Sequence, residues 1–430
     1  MEPIILEKPE KLAKSRVDDI FADYLSSPEI IGNIWKKTTE QRYLYWDRFR
    51  FSEPIVGHSI TESWYLVKQL RHNYSHTTPV YDIDGEPYSI FITKEIQSML
   101  DFIDSFLKES EKTWSDYDLT TWQKNAKLAL IEESITSSQI EGANTGRDHA
   151  LKMITTQASP RTRDEQMIRN NYQVMQDIAE NYSREKLSIS VIRELQAELT
   201  HGTLEDGFIP GEFRTDDDNI IVALGGKISY RTPPMDFASR ELERLIVFAN
   251  DGTEYHPVVK AIMLHFWFAY LHPFPDGNGR TARALFYWSL YRDGYKGIGY
   301  LSISSIIKRS QKNYALSYLY SEQDGHDFTY FLSYNLTRII TAIREFTDYL
   351  EKNYEDTKRY RHFLSHKYPE LNIRQIDIMV FLKDKNHTTT MKECMEIYDV
   401  SRRTAYNDLD GLKALGLIIG SEKQSYRKAK

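Results

Sequence analysis

The stretch AIMLHFWFAYL (261–271) is the most apolar in the chain, and it stops abruptly at a loop-forming run, HPFPDGNGRTAR (272–283). A helix needs about 20 apolar residues to span a bilayer, so this run is too short for one. Pro257 suits the first turn of a helix, where its missing N–H costs nothing, and predicts a helix running from there toward Leu271. A length of 430 residues allows two or three domains. With 41% hydrophobic residues, 27% charged residues and 29 tyrosines, the composition suits covered cores more than disorder. A net charge of -7 excludes non-specific nucleic-acid binding by the chain as a whole. The single cysteine, Cys394, excludes a disulfide framework and any multi-cysteine zinc site. The opening residues MEPIILEKPEKLAKSR lack the apolar core of a signal peptide. A cytoplasmic protein with no membrane association is expected.

Along the chain, residues 1–118 read as a mainly helical accessory region, with helical spacing in ITKEIQSMLDFIDSFL. Residues 121–141 predict an amphipathic helix with Leu128, Ile131 and Ile135 on one face, stopped by GANTG. Further helices are expected over 163–182 and after a cap at Ser188 or Ser190. Residues 209–234 change texture and predict a β-hairpin with Gly225-Gly226 near its turn. Helical patterns return at ASRELERLIVFAN, from about Thr281 to Gly294, and over 327–351. A polar stretch, 353–370, joins these to a distinct end, 371–430, that reads as helix, tight turn, helix and wing.

The run at 272–283 concentrates chemistry. Gly277 and Gly279 flank Asn278, and glycines let successive N–H groups point into one concavity. The helix N-terminus that follows adds partial positive charge, worth roughly 0.3–1 kcal/mol toward an anion. Arg280 and Arg283, three residues apart, can grip phosphate oxygens with paired hydrogen bonds. Asp276 beside such a cradle is repulsive to phosphate unless a cation such as Mg²⁺ bridges the two. His272 can take a proton from an incoming hydroxyl. Base, metal ligand and anion clamp together point to phosphoryl or nucleotidyl transfer. GNGRTA also fits a dinucleotide fingerprint, but it follows a helical run rather than a strand. No GxxxxGK(S/T) sequence occurs, which excludes an ordinary P-loop ATPase.

His272, Phe274, Asp276, Gly277, Asn278, Gly279, Arg280 and Arg283 together resemble the Fic family motif, HxFx(D/E)GNGRxxR, at every fixed position. The resemblance covers roughly residues 120 to 350. It implies a mainly α fold: a Fic-type helical core (119–352) with a short β-hairpin flap, an N-terminal helical region and a C-terminal winged helix-turn-helix. It implies transfer of AMP from ATP to a Ser, Thr or Tyr hydroxyl of a target protein, with His272 as base. Asp276 would hold Mg²⁺. Gly277, Asn278 and Gly279 would meet the α-phosphate region, and Arg280 and Arg283 the β and γ phosphates. The hairpin over 213–232 looks like the family's flap, which docks the target by strand pairing. Tyr314 is a candidate neighbour of the adenine or ribose. The motif defines a phosphate site better than a base, so UMP transfer remains a variant of the same reading.

SSQIEG (137–142) is similar to the family's inhibitory motif, (S/T)xxxE(G/N), with Ser137 and Glu141 at its marked positions, on a helix near 128–142. A glutamate reaching Arg283 would take the arginine that the γ-phosphate needs. Whether the same glutamate also helps to remove AMP is left open. Self-modification is expected, and the resemblance admits a homodimer.

Residues 371–430 carry 11 basic and 8 acidic residues, net +3. Ser401 is expected to cap a second helix with Arg402, Arg403 and Thr404 outward, resembling a winged helix. DNA binding and protein docking both fit this excess. The alternative for the whole chain is a DNA-binding regulator whose Fic-like core senses nucleotide.

Overall fold

The computed structural model describes all residues except 1, 114–118, 219, 225–226, 384–387, 399, 422–424 and 430. The chain divides into two compact units, Met1–Arg344 and Glu345–Lys430.

The first unit is mainly helical. It begins with α1 (Lys14–Ser26), α2 (Gly32–Trp35), α3 (Trp46–Phe49) and α4 (Ile60–Tyr74). A capping box starts α4: Ser59 Oγ accepts from the Glu62 N–H while the Glu62 carboxylate accepts from the Ser59 N–H. An antiparallel hairpin, β1 (His76–Tyr81) and β2 (Pro87–Ile90), follows. Helical spacing did not predict it. Its turn is local: Asp82 Oδ1 accepts from the N–H groups of Asp84 and Glu86, and Gly85 takes a left-handed φ of 84°.

After α5 (Lys94–Thr113) comes α6 (Leu119–Ile140). Ile131 and Ile135 are 1% exposed, as their shared face predicts, but Leu128 is 43% exposed. Periodicity sets which way a side chain points; it does not report whether a neighbour covers that turn. Helices α7 (Arg147–Thr155), α8 (Arg163–Glu180) and α9 (Ile189–Thr200) follow, with Thr162 capping α8 and Ser188 capping α9.

The second hairpin pairs β3 (Ile221–Leu224) with β4 (Lys227–Arg231), with an irregularity between Val222 and Ala223. The expected Gly225-Gly226 turn lies outside the described residues. Helix α10 (Met235–Asp251) leads to α11 (Pro257–Leu271) and α12 (Asn278–Arg292). Pro257 opens α11, and His256 Nδ1 accepts from the Val258 N–H. Helix α11 is buried on nearly every side, as an all-apolar helix must be. Helix α12 starts at Asn278, three residues before the predicted start, because left-handed Gly277 serves as its N-cap. Beyond lie α13 (Ile303–Lys308), α14 (Gln311–Gln323) and α15 (Thr329–Lys367). The polar joining stretch 353–370 is therefore mostly helix; its Glu, Lys and Arg residues are strong helix formers.

In the second unit, α16 (Ile373–Phe381), α17 (Met391–Tyr398) and α18 (Arg402–Ala414) precede the paired β5 (Ile418–Ile419) and β6 (Arg427–Lys428). Leu371, Ile378, Leu382, Cys394, Leu409 and Ile418 share its core. Ser401 caps α18, accepting from the Thr404 N–H, as the sequence predicts. Arg374 and Asn372 both donate to the buried Asp408 carboxylate, which locks α16 to α18.

Candidate active site

The site is the turn between α11 and α12. At the end of α11, His272 adopts a left-handed backbone, φ 49° and ψ 54°. Such a conformation costs a side-chain-bearing residue of order 1–3 kcal/mol and is held only by its surroundings. Arg214 supplies much of that hold. Its backbone N–H donates to Pro273 O at 2.9 Å, its Nε to His272 O at 2.8 Å and its Nη2 to Pro233 O at 2.5 Å.

The His272 ring sits with Nδ1 3.3 Å from Ala269 O. A carbonyl only accepts, so Nδ1 carries the proton and Nε2 keeps its lone pair. Burial pushes this imidazole down to about 4, so it is neutral at neutral pH and able to accept a proton.

Asn278 bridges the loop: its Oδ1 accepts from Phe274 N–H at 3.0 Å and its Nδ2 donates to Phe274 O at 2.7 Å. The Asn278 side chain thus braces the loop, and its amide NH₂ has a second hydrogen beyond the one given to Phe274 O. The Phe274 ring is fully buried, close to Phe213 and Phe268, and anchors the turn from below. Gln196, on α9, donates to Asp276 O at 2.9 Å and accepts from Gly211 N–H at 2.6 Å. Gly277 has a φ of 83°, and a Cβ there would lie 2.7 Å from Thr200 Cγ2. Both backbone angle and space therefore require glycine at that position.

Arg280 is 1% exposed. Its Nη1 donates to Leu199 O at 2.7 Å, but Nε and Nη2 are buried without a hydrogen-bond partner. Nη2 lies 3.5 Å from Asp276 Oδ1. Buried guanidinium donors left open beside a helix N-terminus are what a bound anion would satisfy. Arg283 is held through two of its three nitrogens: Nε donates to Ser137 Oγ at 2.8 Å, and Nη2 to Ser137 O at 3.0 Å and Glu141 Oε1 at 2.9 Å. The Glu141 carboxylate lies directly over Gly279, where any side chain would collide with it.

Among the described residues, no group of three or more His, Cys, Asp or Glu could hold a metal. Asp276 is a single, partly exposed carboxylate, with Oδ1 accepting from Gly277 N–H at 2.5 Å and Oδ2 3.6 Å from Arg163. One carboxylate beside open anion donors fits Mg²⁺, which is commonly held by one or two carboxylates plus substrate phosphates.

Tyr314 is half-buried, its hydroxyl 2.8 Å from His265 Nε2 and 3.1 Å from Tyr318 Oη. Burial pushes that phenol up to about 12. The turn thus gathers His272, Asp276, Gly277, Asn278, Gly279 and Arg280, with Arg283, Ser137 and Glu141 beside it, while Tyr314 is tied to His265. Sequence reasoning missed Arg214, Gln196, Arg163 and Glu133. Gln196 left one signal, a long amide within the apolar periodicity of ISVIRELQAEL; Arg214 left none. Glu133 is 2% exposed and accepts from the Ser304 N–H at 2.9 Å and from Ser302 Oγ at 3.1 Å, tying α6 to α13.

Fold and site define a helical domain that sets a neutral histidine on a turn of glycines and buried arginines. Residues 186–290 match the Fic/DOC family and residues 374–427 match an HTH domain, so the chain contains a Fic/DOC domain followed by a helix-turn-helix domain. Protein adenylyltransferase Fic of Drosophila yakuba is 32% identical over 125 residues, 29% of this chain and 23% of that protein. The protein of the same name from Aedes aegypti is 37% identical over 71 residues, 16% of this chain and 13% of that protein. This chain therefore matches less than a quarter of the length of either relative. The crystal structure of a Fic family protein from Desulfovibrio desulfuricans G20 is similar at a TM-score of 0.53 and 19% identity, covering 79% of this chain and 97% of that one; it shows the shared fold. Among the described residues, no helix is long and apolar enough to cross a membrane.

Proposed function

We propose that this protein moves AMP from ATP to a hydroxyl of a protein and that Glu141 holds it in check. The observation that carries the reading is Arg280: two buried guanidinium nitrogens without a hydrogen-bond partner, on the same turn as a neutral His272 whose Nε2 lone pair is available. In the reaction the acceptor oxygen attacks the α-phosphorus while its proton passes to His272 Nε2. The new O–P bond forms as the bond to the β-phosphate oxygen breaks, and pyrophosphate leaves. The backbone around Gly277–Gly279, Arg280 and a freed Arg283 orient the phosphates. Asp276 would hold Mg²⁺, which neutralises phosphate charge when bound. The β3–β4 hairpin receives an extended segment of the target.

In the resting chain, Arg283 is held by Ser137 and Glu141, and the Glu141 carboxylate fills space over Gly279. A γ-phosphate and this carboxylate compete for one guanidinium. A misplacement of about 1 Å at the reacting phosphorus is enough to cost on the order of a hundredfold in rate. The reading is supported by the Fic/DOC match and by similarity to proteins named protein adenylyltransferase. The test is mass spectrometry of the Glu141→Gly chain after incubation with ATP and Mg²⁺. A gain of one AMP on a hydroxyl, absent when His272→Ala is added, is the expected result; no gain in the Glu141→Gly chain sinks the proposal.

The HTH match at 374–427, with the Ser401-capped α18 and exposed Arg403, favours DNA binding by the second unit. Gel shifts of the full chain on random duplex at low salt test it, and retention unchanged by Arg403→Glu would exclude α18 as the contact.

A further inference from the structure

The outer edge of β4 is occupied. Ile228 N–H donates to Glu2 O at 2.9 Å and Ile228 O accepts from Ile4 N–H at 2.8 Å, making a parallel bridge centred on Pro3. Pro3 has no N–H to give, and it falls where the amide of an added strand would face away from β4. Gln323, the last residue of α14, continues the ladder. Its Nε2 donates to Ile4 O at 2.9 Å and its Oε1 accepts from Leu6 N–H at 2.9 Å. One backbone residue and one side-chain amide thus read four main-chain groups of an extended segment.

Among side chains the main anchor is Leu6, which packs against the cluster that includes Trp46, Phe49 and Trp64. Ile4 and Leu6 are half-buried, whereas Glu2 and Pro3 are exposed and Ile5 is 79% exposed. That alternation is what any extended peptide with apolar residues two apart can offer. Glu2–Leu6 contains no Ser, Thr or Tyr, so it cannot itself receive a group on a hydroxyl. The edge also lies close to the chemistry. Two residues beyond Ile228, the Tyr230 hydroxyl donates to Tyr270 O at 2.6 Å, and Tyr270 stands two residues before His272.

We propose that Ile228 and Gln323 form the docking edge for an extended target segment and that Glu2–Leu6 is its resident occupant, which the target displaces. The partner is a segment running parallel to β4, with apolar side chains at the Ile4 and Leu6 positions and an acceptor hydroxyl beyond them. This rests on the hairpin's role as the target-docking element proposed above.

The test uses the full chain lacking only residues 2–6 and a fluorescein-labelled synthetic peptide, EPIILEK, followed by fluorescence anisotropy. The peptide is expected to bind the shortened chain saturably and to bind the intact chain about tenfold more weakly or worse. Gln323→Ala should weaken that binding, and a peptide with Ile4→Pro, which lacks the N–H donor, should not bind. Should the deletion disturb folding, Ile4→Pro in the intact chain opens the same edge. Absence of saturable binding to both opened chains, or equal binding to the intact chain, overturns the proposal. Failure of AMP transfer would leave peptide binding standing, and failure of peptide binding would leave AMP transfer standing.

Discussion

Arg283 Nη2 lies 2.9 Å from Glu141 Oε1, while Nε of the same guanidinium lies 2.8 Å from Ser137 Oγ. Ser137 lies in the last turn of α6 and Glu141 immediately follows its end, so the helix terminus presents both to one arginine. Glu141→Gly removes the carboxylate and leaves the Ser137 contact. Incorporation of radiolabelled AMP into the chain is expected to rise on the order of a hundredfold. Equal incorporation in the two proteins would mean that this ion pair is not a brake.

Arg280 separates phosphate binding from the brake, because it does not touch Glu141 through a hydrogen bond. In the Glu141→Gly background, Arg280→Ala should weaken ATP binding by about 1.5–3 kcal/mol, the usual value of hydrogen bonds to a charged group. Arg280→Lys should recover only part of this, since an ammonium does not reproduce the planar fork. Titration calorimetry with ATP and Mg²⁺ reads both; unchanged affinity in Arg280→Ala would remove Arg280 from the phosphate site.

Glu133 precedes Ser137 by one helical turn and fastens the same face of α6 to Ser302 and Ser304. Burial raises its pKa above the ordinary carboxylate value, against the lowering effect of the Ser304 hydrogen bonds. Glu133→Ala strands the buried Ser304 N–H and should cost about 1–3 kcal/mol in urea unfolding. Glu133→Gln keeps an acceptor oxygen and should cost less. A neutral result for Glu133→Ala would show that α6 is held elsewhere.

Histidines carry a pH dependence of stability with a definite sign. His265 is 2% exposed, and burial, aided by the Arg283 charge, pushes its pKa down to about 3 from an ordinary 6.5. Between these values the unfolded chain binds a proton that the folded chain refuses, so stability falls as pH drops below about 6.5, by up to about 1.4 kcal/mol per pH unit. Urea unfolding between pH 7 and pH 5 should show this slope, and because His272 adds to it in the same direction, His265→Phe should reduce it without removing it. A slope unchanged by His265→Phe would assign the dependence to other groups.

As the proposed base, His272 would set the pH range of the proposed reaction. With its imidazole pushed down to about 4, the base is unprotonated throughout the neutral range. The kcat/KM of Glu141→Gly should therefore be flat from about pH 8 to pH 6 and fall only as pH approaches about 4. A half-point near 6.5 would indicate an imidazole in an ordinary aqueous setting.

The sequence by itself determined what lies within a few residues along the chain. The N-caps at Ser188 and Ser401, the Pro257 start of α11 and the spacing of Ser137 and Glu141 are local, because caps and helical faces involve partners three or four residues apart. The turn at 272–283 is legible for the same reason: its base, carboxylate, glycines and arginines are consecutive. Tertiary structure alone decided which donors stay open and what braces the turn. Arg214 reaches His272 across 58 residues, and Gln196 reaches Asp276 across 80. Asn278 became a loop brace because Phe274 lay within reach of both its polar ends, and Arg280 kept two open donors because α9 supplied only the Leu199 carbonyl. Glu2–Leu6 met Ile228 more than two hundred residues away in sequence. Such pairings follow from how helices and strands come to lie beside one another, and periodicity along a single element carries no information about its neighbours.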